Sequence, residues 1–228
     1  MHKTVGVIGG MGPDATVELM QRVIAATPAE DDADHIHMLV DNNPKIPSRL
    51  KALLDGGGEN PGPVIAQMAQ QLEQAGVDFL VIPCNTAHYY HRYAQEAVDI
   101  PVWHLIQLSL QNIKAHYPVK RVGLLASSAV QKIELFEPFF AEADLELVYP
   151  GADTQVVIMQ VIRAVKAGAL TDELLSEYNR CVAGMDGVDA YLLGCSELSV
   201  LLNRHQQELP VVDALQVLAD GIVAECVG

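Results

Sequence analysis

Cys84 and Cys195 stand in the same local setting. Pro83-Cys84-Asn85-Thr86 follows the apolar run Phe79–Ile82, and Gly194-Cys195-Ser196-Glu197 follows Ala190–Leu193. In each case a strand-like run ends at the cysteine, and residues suited to a helix N-cap come next. The spacing predicts each thiol at the C-terminal end of a strand and the start of a helix, where open α/β sheets place ligands. The positive end of such a helix favours thiolate over thiol. A thiolate so placed can take a proton or attack an electrophile. A single cysteine in such a chain is by default a buried structural residue. Two in matching settings argue for function, whereas Cys181 and Cys226 lack such a setting and read as structural.

Other chemistry-bearing residues are weaker signals. His88 and His91 share one helical face beyond Cys84, and His88, one turn from the thiol, is placed to tune its pKa. A metal site is not expected there, because no second histidine or carboxylate cluster accompanies the pair. Gly10-Met11-Gly12-Pro13-Asp14-Ala15 fits the loose dinucleotide pattern, with Asp41 as a ribose contact. A tight turn whose N–H groups hold a carboxylate explains these glycines equally well, as does a purely structural turn. Arg49 follows a proline-bounded loop on the same predicted sheet edge as Gly10 and Cys84, and Lys166 ends a helical pattern before Gly168. Each alone reads as a solvated cation.

The elements that must position these residues alternate along the chain. Apolar runs at Thr4–Ile8, His35–Val40, Phe79–Ile82, Val102–Leu105, Val122–Leu125, Leu145–Tyr149, Ala190–Leu193 and Val211–Val212 predict strands. Between them, Ala15–Ala26, Pro63–Ala75, Ala87–Ala97, Ile133–Ala141, Thr154–Ala167 and Asp172–Ala183 carry helical patterns. This alternation predicts an α/β fold with mainly parallel sheets. Asp55–Pro63 breaks every periodicity and reads as a mobile loop near the site. The chain also resembles itself: Val5–Pro13 aligns with Val122–Val130, Val77–His88 with Val188–Ser199, and Ile100–Leu105 with Leu209–Ala214. Three ordered blocks imply duplication into two pseudo-symmetric lobes, residues 1–98 plus 213–228 and residues 99–212, with the active site in the cleft between them.

Composition narrows the classes. Half the residues are apolar and 5% aromatic, which suits a compact soluble protein. A net charge of −15 repels nucleic acid and anionic membrane surfaces, so neither is an expected partner. No apolar run reaches membrane-span length, the opening stretch lacks a secretory h-region, and four widely spaced cysteines form no disulfide framework. A cytoplasmic protein with reduced thiols is expected.

Taken together, GGMGPDAT at Gly9–Thr16, IPSR at Ile46–Arg49, PCNTAH at Pro83–His88 and GCSEL at Gly194–Leu198 resemble the aspartate/glutamate racemase family over nearly the whole chain. The resemblance implies a two-lobed fold, a homodimer, a small acidic amino acid as substrate, and neither pyridoxal phosphate nor a metal. It implies Cys84 and Cys195 as the acid and base that exchange the α-proton on opposite faces of the carbon. By the same resemblance Arg49 and Lys166 hold the distal carboxylate. The α-carboxylate is expected near Asn85, Thr86, Ser127 and Ser196, with Met11 and Glu197 also against the substrate. Ser196 stands where threonine is usual, Ser48 where aspartate is frequent, and Ala126-Ser127-Ser128-Ala129 where threonines are common. These departures bear on side-chain specificity more than on chemistry. Aspartate is the expected substrate. Alternatives are glutamate or broad specificity, a maleate-type isomerase with one nucleophilic thiol, a non-catalytic binding protein for acidic amino acids, and a dinucleotide oxidoreductase.

Overall fold

The computed structural model describes residues 3–54 and 57–227. In chain order the first half holds β1 (Val5–Gly9), α1 (Pro13–Ala26), β2 (Met38–Asn42), α2 (Arg49–Leu54), α3 (Gly62–Gln74), β3 (Phe79–Val81), α4 (His91–Gln95) and α5 (Leu105–His116). The second half holds β4 (Arg121–Leu125), α6 (Ser128–Lys132), α7 (Glu137–Glu142), β5 (Glu146–Val148), α8 (Ala152–Lys166), α9 (Asp172–Ala183), β6 (Ala190–Leu193), α10 (Ser196–Ser199), β7 (Val211–Asp213) and α11 (Ala214–Val227). Packing divides the chain into two units. The first runs to Leu108 and resumes at Leu215; the second covers Ser109–Ala214.

Every strand pairing is parallel. The first sheet has the order β2-β1-β3, with Val5 opposite both Met38 and Phe79. The second has the order β5-β4-β6-β7, with Val122 opposite Leu147 and Ala190. The internal repeat reappears here, because β1 and β4 occupy the same place in their sheets, as do β3 and β6. The segment at Val102 answers to β7, yet it makes only one bridge, to Leu80. The strand expected at Val102–Leu105 is therefore a single bridge followed at once by α5.

Helical spacing explains which faces are buried. In α3, Ile65, Met68, Ala69 and Leu72 recur at steps of three and four and join Ile8, Leu80 and Ile82 in the first core. In α8, Val157, Ile158, Val161 and Ile162 do the same against Leu125, Tyr191 and Leu193 in the second. Each such Val, Leu, Ile or Met side chain contributes about 1.5–3 kcal/mol on burial. The helix expected over Ile133–Ala141 is broken. Glu134 takes a positive φ of 51°, and Pro138, which cannot donate a backbone hydrogen bond, sits in the first turn of α7 instead. Within the expected loop, Asp55 and Gly56 lie outside the described residues, and its far end at Gly62 already belongs to α3. Among the described residues no helix is long and apolar enough to cross a membrane.

Candidate active site

In the first unit the chain leaves β3 through Ile82-Pro83 and reaches Cys84, which is buried and caps a 3-10 turn over Asn85–Tyr90 with extended backbone. The helix expected over Ala87–Ala97 is thus a 3-10 turn followed by the short α4. A side chain competes for the carbonyl that would otherwise start an α-helix. The Cys84 carbonyl accepts the Ala87 N–H at 3.2 Å, and the His88 ring sits against it with Nδ1 at 2.9 Å. The other ring nitrogen, Nε2, accepts the Leu105 N–H at 3.0 Å. An accepting Nε2 fixes the neutral tautomer, with the proton on Nδ1 donated to Cys84. Burial pushes the His88 pKa down to about 4, helped by the nearby His91, with the backbone bonds opposing. His88 therefore offers no positive charge to the thiol near pH 7. It ties the cysteine's own carbonyl to the start of α5.

The remaining histidines fill in behind it. His104 lies edge-on to His88 with centroids 4.8 Å apart, and His91 binds the Val102 carbonyl through Nε2 at 2.8 Å. Burial first, then His88 and His91, lower His104 to about 3. Among the described residues no group of three or more histidine, cysteine or carboxylate side chains is arranged to hold a metal ion.

The glycine turn closes on itself. Gly10 has φ +90°, and a Cβ there would stand 2.2 Å from the Asn43 backbone, so no other residue fits without movement. Its N–H donates to Thr16 Oγ1 at 2.9 Å, which commits that amide to α1 rather than to a ligand. The Met11 side chain is buried in the same cluster as Ile46 and Cys84. Arg49 opens α2 and donates from Nη1 to the Pro47 carbonyl at 3.2 Å. Its charge acts on the buried Tyr90 phenol at the end of the Cys84 turn, opposing the upward push of burial. Asn85 is buried with its Oδ1 lacking a hydrogen-bond partner, and Thr86 follows it, partly buried, on the same turn.

In the second unit Cys195 repeats the placement, capping α10 with extended backbone at the end of β6. Its surroundings differ. The thiol donates to Glu197 Oε2 at 2.9 Å, and Lys166, the last residue of α8, holds Glu197 Oε1 at 3.1 Å. Loss of hydration raises the Cys195 pKa well above the ordinary thiol range. The charge and hydrogen bond of Glu197 add to that rise, and Lys166 pulls the other way. The sequence predicts the opposite at this residue, a helix end favouring thiolate. That expectation fails because α10 is a single turn with little dipole to offer, while a carboxylate sits in contact with the sulfur.

Around it, Ser196 is buried, and Ser127, at the cap of α6, is buried with its Oγ lacking a hydrogen-bond partner. Ser199 holds Asp213 at 2.6 Å, at the end of β7, just as His88 reaches Leu105 at the start of α5. Each cysteine is thus followed four residues later by a bonded side chain, His88 reaching the first residue of α5 and Ser199 the residue just before α11. The part the sequence reading missed is the bond between Glu197 and Cys195. A carboxylate two residues beyond a capping cysteine is the signal that would have found it.

The chain is similar to the aspartate racemase of Picrophilus torridus, with 29% identity and a TM-score of 0.87, covering 98% of this chain and 94% of that one. It is 25% identical to the broad specificity amino-acid racemase RacX of Bacillus subtilis (strain 168), over 96% of each chain. Its fold is also shared with glutamate racemase of Francisella tularensis, solved with D-glutamate, at 18% identity and a TM-score of 0.69 over 98% of this chain and 80% of that one. A family model described as Asp/Glu/hydantoin racemase matches residues 8–222, and the chain belongs to that family.

Proposed function

We propose that this protein is a cofactor-independent aspartate racemase in which Cys84 and Cys195 form a two-base pair. The observation that carries the reading is the matched placement of two thiols, each capping the turn after the equivalent strand of a duplicated fold. Racemisation needs a proton to leave Cα on one face and another to arrive on the opposite face. A base on one face and an acid on the other meet that need. Cys195, held as a thiol by burial and then by Glu197, is the group ready to donate. Cys84 then begins as the base, and the roles exchange in the reverse direction. Negative charge developing on the substrate spreads into its α-carboxylate. Ser127 Oγ, buried without a hydrogen-bond partner, is suited to donate to that group. Asn85 Oδ1 is suited to accept from the ammonium.

Arg49 and Lys166 are the cations suited to a second carboxylate, Arg as a planar fork and Lys as a point charge. Their presence, with the likeness to the Picrophilus torridus aspartate racemase, supports aspartate over neutral amino acids. Broad specificity is the second reading, favoured by the likeness to RacX. The test is a panel of L-amino acids incubated with the purified protein and no added cofactor, with enantiomers resolved by chiral chromatography. Aspartate should be racemised fastest, and Arg49→Ala should abolish that preference. Equal rates on aspartate and on neutral amino acids would overturn the substrate assignment.

A further inference from the structure

The turn that carries Ser127 is held from outside by one face of α8. Gln155, in the first turn of that helix, directs its side-chain amide at Ala126-Ser127-Ser128. Its Nε2 donates to the Ala126 carbonyl at 3.0 Å and to Ser128 Oγ at 3.3 Å. We propose that Gln155 is a positioning residue for substrate recognition: by binding the residues on either side of Ser127, it aims the hydroxyls of this turn at the α-carboxylate of an amino acid. The inference rests on the reading of Ser127 as a donor to that carboxylate, and it adds the residue that holds the donor in place.

The bonding of Gln155 is directional. An amide group facing a carbonyl oxygen must present its NH₂, whose two hydrogens here serve two acceptors. Ser128 accepts from Gln155, so its own hydroxyl proton is left to donate. Ser127 Oγ is buried with no hydrogen-bond partner among the described residues. Burying a hydroxyl without a partner is unfavourable, and a turn free to move would relax until the group found water or a carbonyl. Gln155 opposes that relaxation from both sides. One turn further along α8, Met159 reaches the same segment, with its Sδ 3.3 Å from the Ser128 nitrogen. Residues four apart share a helix face, so a single stripe of α8 fixes the turn around Ser127.

The equivalent turn of the first unit is built differently. Ser127 and Ser128 answer to Gly10 and Met11 in the repeat, and neither of those has a hydroxyl. The Gly10 N–H is already given to Thr16, and Gly10 packs tightly against the Asn43 backbone, with no side chain tying the turn as Gln155 does. Of the two turns, the second alone carries hydroxyls, and it alone has an amide side chain bracketing them.

The test is a double-mutant cycle read by binding, without turnover. L-Aspartate is titrated calorimetrically into the full-length wild type, Gln155→Met, Ser127→Ala and the double variant. Methionine keeps the length and helix propensity of glutamine but cannot donate. Each single variant should bind L-aspartate about tenfold more weakly, the scale of a hydrogen bond to a charged group. The double variant should bind no more weakly than Ser127→Ala, because Gln155 acts through that hydroxyl and its neighbour. Ser127→Ala, which removes a buried hydroxyl that bonds nothing in the protein, should resist urea at least as well as wild type. Unchanged affinity in Gln155→Met overturns the inference, and so do losses that add in the double variant, the mark of a merely structural role. Should Gln155→Met fail to fold, the same cycle with Gln155→Glu, which keeps the shape of glutamine and cannot donate when ionised, decides in the same way. A wild type that binds no L-aspartate overturns the inference together with the substrate assignment. Coupled losses in a protein that forms no D-aspartate would support Gln155 in this role while sinking the proposed function. Racemisation with wild-type affinity and kcat/KM in Gln155→Met would do the reverse.

Discussion

At Cys195 burial, and then the contact with a carboxylate, outweigh the single turn of α10 as influences on the thiol, and the sulfur rests protonated. The two thiols are therefore chemically unequal although their backbones match. The proposed mechanism requires both. Cys84→Ala and Cys195→Ala should each lower racemisation kcat by about 10³-fold or more, since a positioned acid or base contributes on the order of 10²–10⁴-fold. The serine variants should retain very little, because an alcohol is far weaker as an acid than a thiol. Full activity in either alanine variant would contradict the two-base account. Arg49→Ala should raise KM for aspartate about tenfold and lower kcat, as expected for the loss of a charge-assisted contact. Unchanged aspartate kinetics would remove Arg49 from the substrate site. The cysteines were legible in the sequence because strand, cysteine and cap residues form a local pattern that occurs twice. The partnership of Cys195 with Glu197 was less so, because the pattern shows a carboxylate two residues past the cap but not that its side chain turns back onto the sulfur. Here the cysteine is an extended cap outside the helix, which brings the two together.

Among the elements, the parallel strands and the long helices α1, α3, α8 and α9 follow from apolar periodicity alone, since their buried faces recur at steps of three and four. The turn after Cys84 could not be read that way. Its 3-10 geometry depends on the His88 ring binding the Cys84 carbonyl and the Leu105 amide, seventeen residues further on. His88→Ala should remove two hydrogen bonds to buried backbone groups and cost about 1–3 kcal/mol in a urea titration, with a fall in kcat from the loosened Cys84 turn. The same residue predicts an acid window. Its pKa is about 4 in the folded chain against an ordinary 6.5, so the unfolded chain binds the extra proton first. Stability should be retained above pH 6.5 and fall as the pH drops toward 4, by about 3 kcal/mol from this histidine. A flatter slope over that window in His88→Gln checks the assignment, and an unchanged slope would contradict it. Gly10 is a similar case, in which the sequence marks a turn but not what it touches. Gly10→Ala should lower Tm by several degrees, because its Cβ meets the Asn43 backbone at 2.2 Å with φ +90°.

For the molecule as a whole, duplication was the most informative reading. It related β1 to β4 and β3 to β6 before either sheet was seen, and the two strand orders repeat the same succession. What it concealed is where the copies have diverged: Thr86 against Glu197, His88 against Ser199, His104 against Asp213. A net charge of −15 disfavours an anionic substrate at long range, so binding of the proposed aspartate would depend on local cations. The central claim is that two thiols exchange the α-proton of aspartate on opposite faces. The most direct test is to incubate the protein with L-aspartate in D₂O without cofactor and follow the first turnovers by NMR and chiral chromatography. The account predicts D-aspartate carrying deuterium at Cα from the outset, while the remaining L-aspartate keeps its protium. Deuterium entering the L-aspartate pool as fast as the product, or no exchange in reduced protein that binds aspartate, would contradict it.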